Sequence, residues 1–183
     1  RKYAILKVSL NERNWDLWFN KGVKETDPME YPLDGLILYY LSIIHGDIMM
    51  HASGINNAGH GYLFSGVSGQ GKTTMAKLWD ITGAKVIHDD RLVIRYTGKQ
   101  YFMHNTPVYR DDVPSKSVLN KIFLIEHGKR NELIRVSGAK AITMVMANCI
   151  QHNWNQEIIA RLLGSVSLMC TSIPVVRLLF KPD

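Results

Sequence analysis

Eight consecutive residues near the middle of the chain limit its possible folds more than any other segment: Gly66-Val67-Ser68-Gly69-Gln70-Gly71-Lys72-Thr73. They match the Walker A pattern, GxxxxGK followed by Ser or Thr, at every fixed position. The glycines allow positive φ values and a close approach of the backbone, so that successive N–H groups can converge on phosphate oxygens. In this pattern the loop connects a strand to a helix. The run therefore predicts a strand–loop–helix unit that binds a nucleotide.

The sequence on either side of this glycine loop, defined here as residues 66–73, has the order that the pattern needs. Residues 60–65 are typical of a short apolar strand that enters the loop. Residues 73–81 follow with apolar side chains at helical spacing, and Gly83 is a natural end for that helix. A glycine-rich turn without any ligand is the alternative interpretation.

Side chains of the loop suit the charge of a nucleotide. Lys72 would neutralise β and γ oxygens, and the hydroxyl of Thr73 is suited to ligate Mg²⁺. A helix that begins near Gly71 adds the positive end of its dipole. The candidate nucleotide-binding residues are Gly66, Val67, Ser68, Gly69, Gln70, Gly71, Lys72, Thr73 and Thr74.

Length and composition bound the class of protein. A chain of 183 residues with 46% hydrophobic and 21% charged residues is enough for one domain with a substantial core and a small appendage. No apolar stretch is long enough to span a bilayer, and the amino terminus lacks a signal-peptide pattern. Cys149 and Cys170 lack metal-site spacing, which favours buried thiols in a reducing cytoplasm over a disulfide. We therefore expect a cytoplasmic protein without membrane contact.

The formal net charge of +6 raises the question of a nucleic-acid partner. Lys and Arg are scattered, however, and the basic stretch 128–131 is typical of a turn between strands. A basic balance also suits polyanionic nucleotides or an acidic protein partner. We expect no nucleic acid among the partners.

The remaining pattern predicts a mixed sheet. Prolines at positions 28 and 32 interrupt the chain, so residues 1–32 are expected to form an amino-terminal subregion and residues 33–183 the main domain. The predicted helices are 33–44, 73–81, 139–148 and 156–169. The predicted strands are 48–53, 61–65, 85–88, 92–96, 100–104, 121–126, 133–136 and 175–180.

Hairpins dominate this order of elements. They are predicted across the turns at 56–59, 97–98 and 128–131. Doubly wound proteins instead alternate strand and helix. We therefore expect an α/β fold with mixed α+β character, in which hairpins and flanking helices surround a single loop–helix unit.

A pair of adjacent carboxylates, Asp89 and Asp90, stands at the predicted end of strand 85–88. Consecutive side chains of a regular strand point to opposite faces, so both can face one phosphate only if the strand ends or bends there. One carboxylate could orient the metal, and the other could accept the proton of an attacking hydroxyl. A solvated Asp-Asp turn capped by Arg91 is the alternative.

His51 completes the set of candidate residues. It lies on the strand before the one that enters the loop, so hairpin pairing would bring it near the phosphate end of the sheet if the register permits. A lone histidine is more often structural than catalytic, and His60 and His88 are interpreted as structural.

Together these residues resemble the catalytic domain of the HPr kinase/phosphorylases. In that family a histidine precedes the loop, and a pair of aspartates follows it, at the intervals found here. The resemblance is firm over residues 50–95, and residues 105–107, 119–126 and 174–180 are similar to smaller HPr kinase-like proteins in pattern only. It implies a fold related to the carboxy-terminal domain of ATP-dependent phosphoenolpyruvate carboxykinases.

The resemblance also implies ATP and Mg²⁺ as cofactors, and roles for single residues. It makes Lys72 the phosphate-polarising group, His51 an active-site residue and Thr73 the Mg²⁺ ligand. The pair Asp89 and Asp90 becomes the seat of the proton acceptor without showing which of the two is the base, and Asp90 is the second candidate metal ligand. The implied catalytic set is His51, Lys72, Asp89 and Asp90.

The chain also departs from the family. The family's glutamate-arginine-glycine-leucine-glycine stretch, with its metal-binding glutamate, has no counterpart, and residues 109–112 stand there, where Asp111 or Asp112 could replace the missing ligand. A later proline-glycine-arginine segment is also missing. These departures leave action on HPr itself and phosphorylase activity open. Among partners, a homo-oligomer is a separate possibility that the sequence does not decide.

The function that the residues and the resemblance imply is an ATP- and Mg²⁺-dependent kinase. It would transfer the γ-phosphoryl to a hydroxyl, with a serine of a peptide or small protein as the first choice. A small-metabolite kinase and a nucleotide-binding regulatory module with little turnover are the alternatives. A GTPase switch is disfavoured, because the guanine-reading pattern NKxD is broken after Asn120 and Lys121.

Overall fold

In a computed structural model of the protein, the described residues are 4–7, 9, 14–20, 33–106, 113–151 and 155–181. The chain divides into two compact units, Arg1–His45 and Gly46–Asp183. None of the described helices combines the length and the apolar character that crossing a bilayer requires.

Where the first unit is described, it forms a small hairpin and one helix. Strands β1 (Ala4–Lys7) and β2 (Asp16–Phe19) pair antiparallel. Neither strand was predicted, because each is only four residues long and lacks a buried apolar face. Helix α1 covers Leu33–Ile44, as its apolar spacing predicted.

The second unit is built on an eight-stranded mixed sheet. In sheet order its strands are β7, β6, β5, β3, β4, β8, β10 and β9. Only β4, β8 and β10 run parallel to one another, and the other neighbours in the described sheet are antiparallel. The strands are β3 (Ile48–Asn57), β4 (His60–Ser65), β5 (Lys85–Tyr96), β6 (Tyr101–Asn105), β7 (Lys116–Val118), β8 (Lys121–His127), β9 (Glu132–Val136) and β10 (Val175–Phe180). The expected mixed α/β class is confirmed.

The described residues of this unit form three helices: α2 (Lys72–Ile81), α3 (Gly138–Met146) and α4 (Gln156–Ser172). Helix α2 covers one face of the sheet, where Ala76 packs with Ile55, Phe64 and Ile125 in an apolar cluster. Only six residues connect the end of β4 at Ser65 to the start of α2 at Lys72. The packing of α2 on the sheet therefore holds the start of the helix near the carboxyl end of β4.

The β3–β4 hairpin turns through Ala58 and Gly59, which both have positive φ, 49° and 88°. Such a pair is typical of the tight turns that match the twist of two antiparallel strands. The turn was predicted, but β3 extends to Asn57, well beyond the predicted end at residue 53.

Strand β5 is one continuous strand, so the predicted break after His88 is wrong. Ser53 and Ala52 of β3 pair with Asp89 and Asp90, which keeps both aspartates inside the ladder. The strand does not end at the aspartates, but a β-bulge lies nearby, where the register between β3 and β5 shifts between Gly54 and Ile55. Pairing with a long central strand outweighs the low intrinsic strand preference of two aspartates.

Strands β8 and β9 do not form the predicted hairpin, because β10 lies between them. The turn at Gly128 reverses the chain but does not decide which strands pair. Strand β8 has buried residues on both faces, as a central strand does, whereas β9 alternates half-buried and exposed residues, as an edge strand can. Consecutive strands are neighbours in most sheets but not in all.

Both cysteines are free thiols, as the sequence predicted, so the alternative of a disulfide is wrong. Burial raises the pKa of Cys149 to about 12 and that of Cys170 to about 11. Both thiols are therefore poor nucleophiles at neutral pH.

Replacing Gly61 by alanine should lower the free energy of unfolding by about 1–3 kcal/mol. A Cβ at this buried position would overlap the backbone oxygen of Val118 and lie 2.8 Å from Ser117 Oγ. Urea unfolding followed by circular dichroism measures the loss. Gly164→Ala is the control, because Gly164 is an exposed position of α4 with open space around it, so that the substitution should be neutral or stabilising. Equal stability of the two variants would contradict the crowding at Gly61.

Candidate active site

The glycine loop leaves β4 at Ser65 and enters α2 at Lys72. Gly69 and Gly71 have φ values of 81° and 89°, a conformation that a side chain would strain. A Cβ on Gly71 would also lie 2.9 Å from the ring of Phe180. Gly66 is required for a different reason, since a Cβ there would lie 2.7 Å from the carbonyl oxygen of Ile125. The loop therefore needs glycine at all three positions.

Contacts to β8 hold the loop in place. The side-chain oxygen of Gln70 accepts a hydrogen bond from the backbone N–H of His127, at 2.8 Å. Within the loop, the N–H of Gln70 donates to the carbonyl of Val67, and the N–H of Met75 donates to that of Gly71. The backbone amides at the start of α2 are thus oriented before any ligand arrives.

Lys72 is 8% exposed although it carries an ammonium group. Its Nζ donates to the carbonyl oxygens of Gly66, at 2.9 Å, and Val67, at 3.2 Å. Burial lowers the pKa of Lys72, and the charges of Asp89 and Asp90 oppose this effect. The loop carbonyls therefore hold the ammonium beside two carboxylates, at the place where a polyphosphate would need a cation.

A cavity of about 290 Å³ opens at the start of α2. Its lining contains most of the predicted site residues. They are His51, Ser68, Gly69, Gly71, Lys72, Thr73, Thr74, Asp89 and Asp90. The other predicted residues, Gly66, Val67 and Gln70, do not line it but carry the contacts that shape the loop.

The two carboxylates reach the cavity from a continuous strand, whereas the sequence predicted that the strand ends or bends at this pair. Asp89 pairs with Ser53 across the ladder, and paired residues share a face of the sheet. Because the hydroxyl of Ser53 donates to the carbonyl of Lys72, at 2.9 Å, Asp89 lies on the face where α2 begins.

Asp90 has two close partners. Its Oδ1 lies 3.3 Å from Nδ1 of His51, and its Oδ2 lies 3.8 Å from Nε of Arg91. Asp89 has no comparable ion pair with any described residue, and it interacts with Lys72 through its charge. The two neighbouring carboxylates therefore differ in their surroundings, as different chemical roles require.

His51 lies where β3 loses β4 as its neighbour. The β3–β4 pairing begins only at Ala52, because the chain of β4 turns into the loop after Ser65. The freed edge of β3 is taken by the segment after α3, through bonds from His51 N to Asn148 O and from Ile150 N to Met49 O. The side chain of His51 is 46% exposed and lines the cavity.

Sequence reasoning missed several residues that position this site. Ser53 and Ser65 anchor the backbones of Lys72 and His51 through their hydroxyls. Residues 148–150 supply the edge beside His51. An isolated serine or a short irregular segment carries no periodic signal, so only the tertiary structure could identify them.

The donor set suits Mg²⁺ accompanied by phosphate. Thr73, Asp89 and Asp90 offer only oxygen atoms to the cavity, which Mg²⁺ prefers. In the described part of the chain, no group of three or more His, Cys, Asp and Glu side chains could hold a metal ion by itself. Mg²⁺ usually completes its shell with water and substrate phosphates. Asp111 and Asp112, the sequence candidates for a further ligand, lie outside the described residues.

Comparison with known proteins finds likeness among solved structures. No protein-family model matches the chain, and no curated protein matches it either. Among solved structures, the HPr(Ser) kinase/phosphatase from Coxiella burnetii is similar, with 13% sequence identity and a TM-score of 0.41, over 74% of this chain and 79% of that one. This likeness concerns the fold at most. The functional interpretation depends on the geometry of the site.

Proposed function

We propose that the protein is an ATP- and Mg²⁺-dependent kinase that transfers the γ-phosphoryl group to a hydroxyl. One observation carries the proposal. A single cavity brings together the buried ammonium of Lys72, the first turn of α2 and the carboxylates of Asp89 and Asp90. A cation and helix amides suit the polyphosphate, and a pair of carboxylates suits the metal and the proton.

The first turn of α2 binds the phosphates. It contains no acidic residue that would repel them, and its free N–H groups and dipole favour an anion. When ATP binds, the Lys72 ammonium exchanges its hydrogen bonds to the loop carbonyls for hydrogen bonds to phosphate oxygens. During the transfer itself the ammonium stays in place, so little reorganisation is needed as charge develops on the phosphoryl group.

The two carboxylates have different roles, one towards the metal and one towards the proton. Asp90, which His51 and Arg91 hold in place, forms the metal site with Thr73. Carboxylates that bind metals are commonly held by such outer partners. Asp89 has no such partner among the described residues, so it is available to take a proton. His51 thus acts by positioning Asp90.

In the transfer step, Asp89 takes the proton of the acceptor hydroxyl while the oxygen of that hydroxyl attacks the γ-phosphorus. The bond from the γ-phosphorus to the bridging oxygen breaks, and ADP leaves with that oxygen. Bound Mg²⁺ would neutralise the developing charge on the β and γ oxygens.

The acceptor is proposed to be a serine of a peptide or small protein. The side chains of His51 and Asp90 are 46% and 36% exposed, so the site is accessible from solvent. A small metabolite with a hydroxyl would also have access, and a panel of acceptors decides between the two.

Purified protein with Mg²⁺ and γ-labelled ATP tests the proposal against three sets of acceptors: serine peptides with small proteins, a metabolite library, and buffer alone. Acceptor-dependent label transfer, lost in Lys72→Ala, is the expected result. Transfer only to metabolites would change the acceptor class. Tight ATP binding without transfer to any acceptor would favour a regulatory module, and absence of ATP binding would refute the proposal.

A further inference from the structure

Two aromatic side chains stand beside the glycine loop, on the side away from the carboxylates. The rings of His127 and Phe180 are 5.0 Å apart and perpendicular. Phe180 packs against the apolar cluster under α2, and a Cβ on Gly71 would lie 2.9 Å from its ring. His127 is exposed and Phe180 is half-buried. The pair therefore presents an accessible aromatic surface next to the loop.

The backbone fixes this pair relative to the loop. His127 and Phe180 are register partners on the parallel strands β8 and β10. The N–H of His127 donates to the side chain of Gln70, and the N–H of Gly128 donates to the carbonyl of Phe180. The same contacts thus hold both the loop and the aromatic pair.

The order of the strands indicates how a bound nucleotide would lie across the edge of the sheet. Parallel strands β4, β8 and β10 place their carboxyl ends at one edge, where ligands of open α/β sheets bind. Asp89 and Asp90 lie on β5, on one side of β4, while β8 and β10 lie on the other side. A nucleotide whose γ-phosphate faces the carboxylates can extend past Gly71, which lines the cavity, towards Phe180 and His127.

We propose that His127 and Phe180 form the base-binding subsite, and that the occupant is a purine. The inference rests on the proposed function, because that function sets where the γ-phosphate lies. A purine has a large flat π surface that stacks on aromatic side chains. His127 forms the exposed face of the subsite, and Phe180 supports it from the core side.

Binding of two probes, Mg·ATP and inorganic tripolyphosphate with Mg²⁺, tests the subsite by calorimetry. His127→Ala should weaken ATP binding by about 5- to 100-fold, the range for one lost base–aromatic stack, and leave tripolyphosphate binding unchanged. His127→Phe should keep the ATP affinity, because it retains an aromatic ring. His60→Ala is the matched control, since His60 is exposed at the opposite end of β4.

Unchanged ATP binding by His127→Ala would overturn the base subsite and leave the proposed phosphate site standing. An equal loss for both probes would also overturn the base subsite, because His127 would then act on phosphate binding through the loop and not on the base. If the wild-type protein binds neither probe, the proposed function itself fails, and the subsite fails with it.

Discussion

Replacing Lys72 by alanine is expected to reduce phosphoryl transfer by about 100- to 1,000-fold, the usual effect of removing one preorganised charge-stabilising group. Lys72 is buried and lines the cavity together with both carboxylates. Because Lys72 itself is buried, its attraction to the transferring phosphoryl group is stronger than that of a lysine on the surface. Initial rates of ADP formation with a saturating acceptor measure the effect.

Lys77→Ala is the matched control for this variant. Lys77 lies on the same helix, is exposed, and does not line the cavity. Its removal takes away the same charge from α2 and should leave the rate within about twofold, as expected for a surface substitution. Circular dichroism must show that both variants are folded. A folded Lys72→Ala protein that keeps the wild-type rate would contradict the proposed role of the ammonium.

Replacing Asp89 by asparagine is expected to lower the maximal rate by about 100- to 10,000-fold, the range for loss of a general base. The substitution keeps the size of the side chain and the pairing with Ser53 but removes the proton acceptor. The Mg²⁺ concentration for half-maximal rate should change little. A rate series over Mg²⁺ concentration at saturating ATP separates these two quantities.

Asp90→Asn provides the contrast. It should raise the Mg²⁺ concentration needed for half-maximal rate, because Asp90 is proposed to hold the metal. His51→Ala should shift the Mg²⁺ dependence in the same direction by a smaller amount, since His51 lies 3.3 Å from Asp90 and acts through it. If Asp89→Asn shifts the Mg²⁺ dependence and Asp90→Asn lowers only the maximal rate, the two roles are exchanged.

The strand–loop–helix unit could be predicted from sequence because its determinants are local. Gly69 and Gly71 are needed for their own φ values, and the apolar spacing of α2 and β4 gives their bounds to within one residue. The candidate residues His51, Lys72 and Asp89 could likewise be chosen from their intervals along the chain. That they line one cavity became visible only in the fold.

What could not be predicted depends on pairing between distant segments. The sequence of the Gly128 turn does not indicate that β10 lies between β8 and β9. The segment that pairs with β3 beside His51, residues 148–150, is far away in the sequence. The continuity of β5 through Asp89 depends on its pairing with β3, which overrides local preference. Tertiary contacts decide these features.

A crystal structure with Mg²⁺ and a non-hydrolysable ATP analogue tests the proposed phosphotransfer site. We expect the terminal phosphate beside Lys72 and Asp89, with Mg²⁺ on Thr73 and Asp90 and the base against His127. A polyphosphate bound away from the first turn of α2, or a terminal phosphate pointing towards β8 instead of β5, would contradict it.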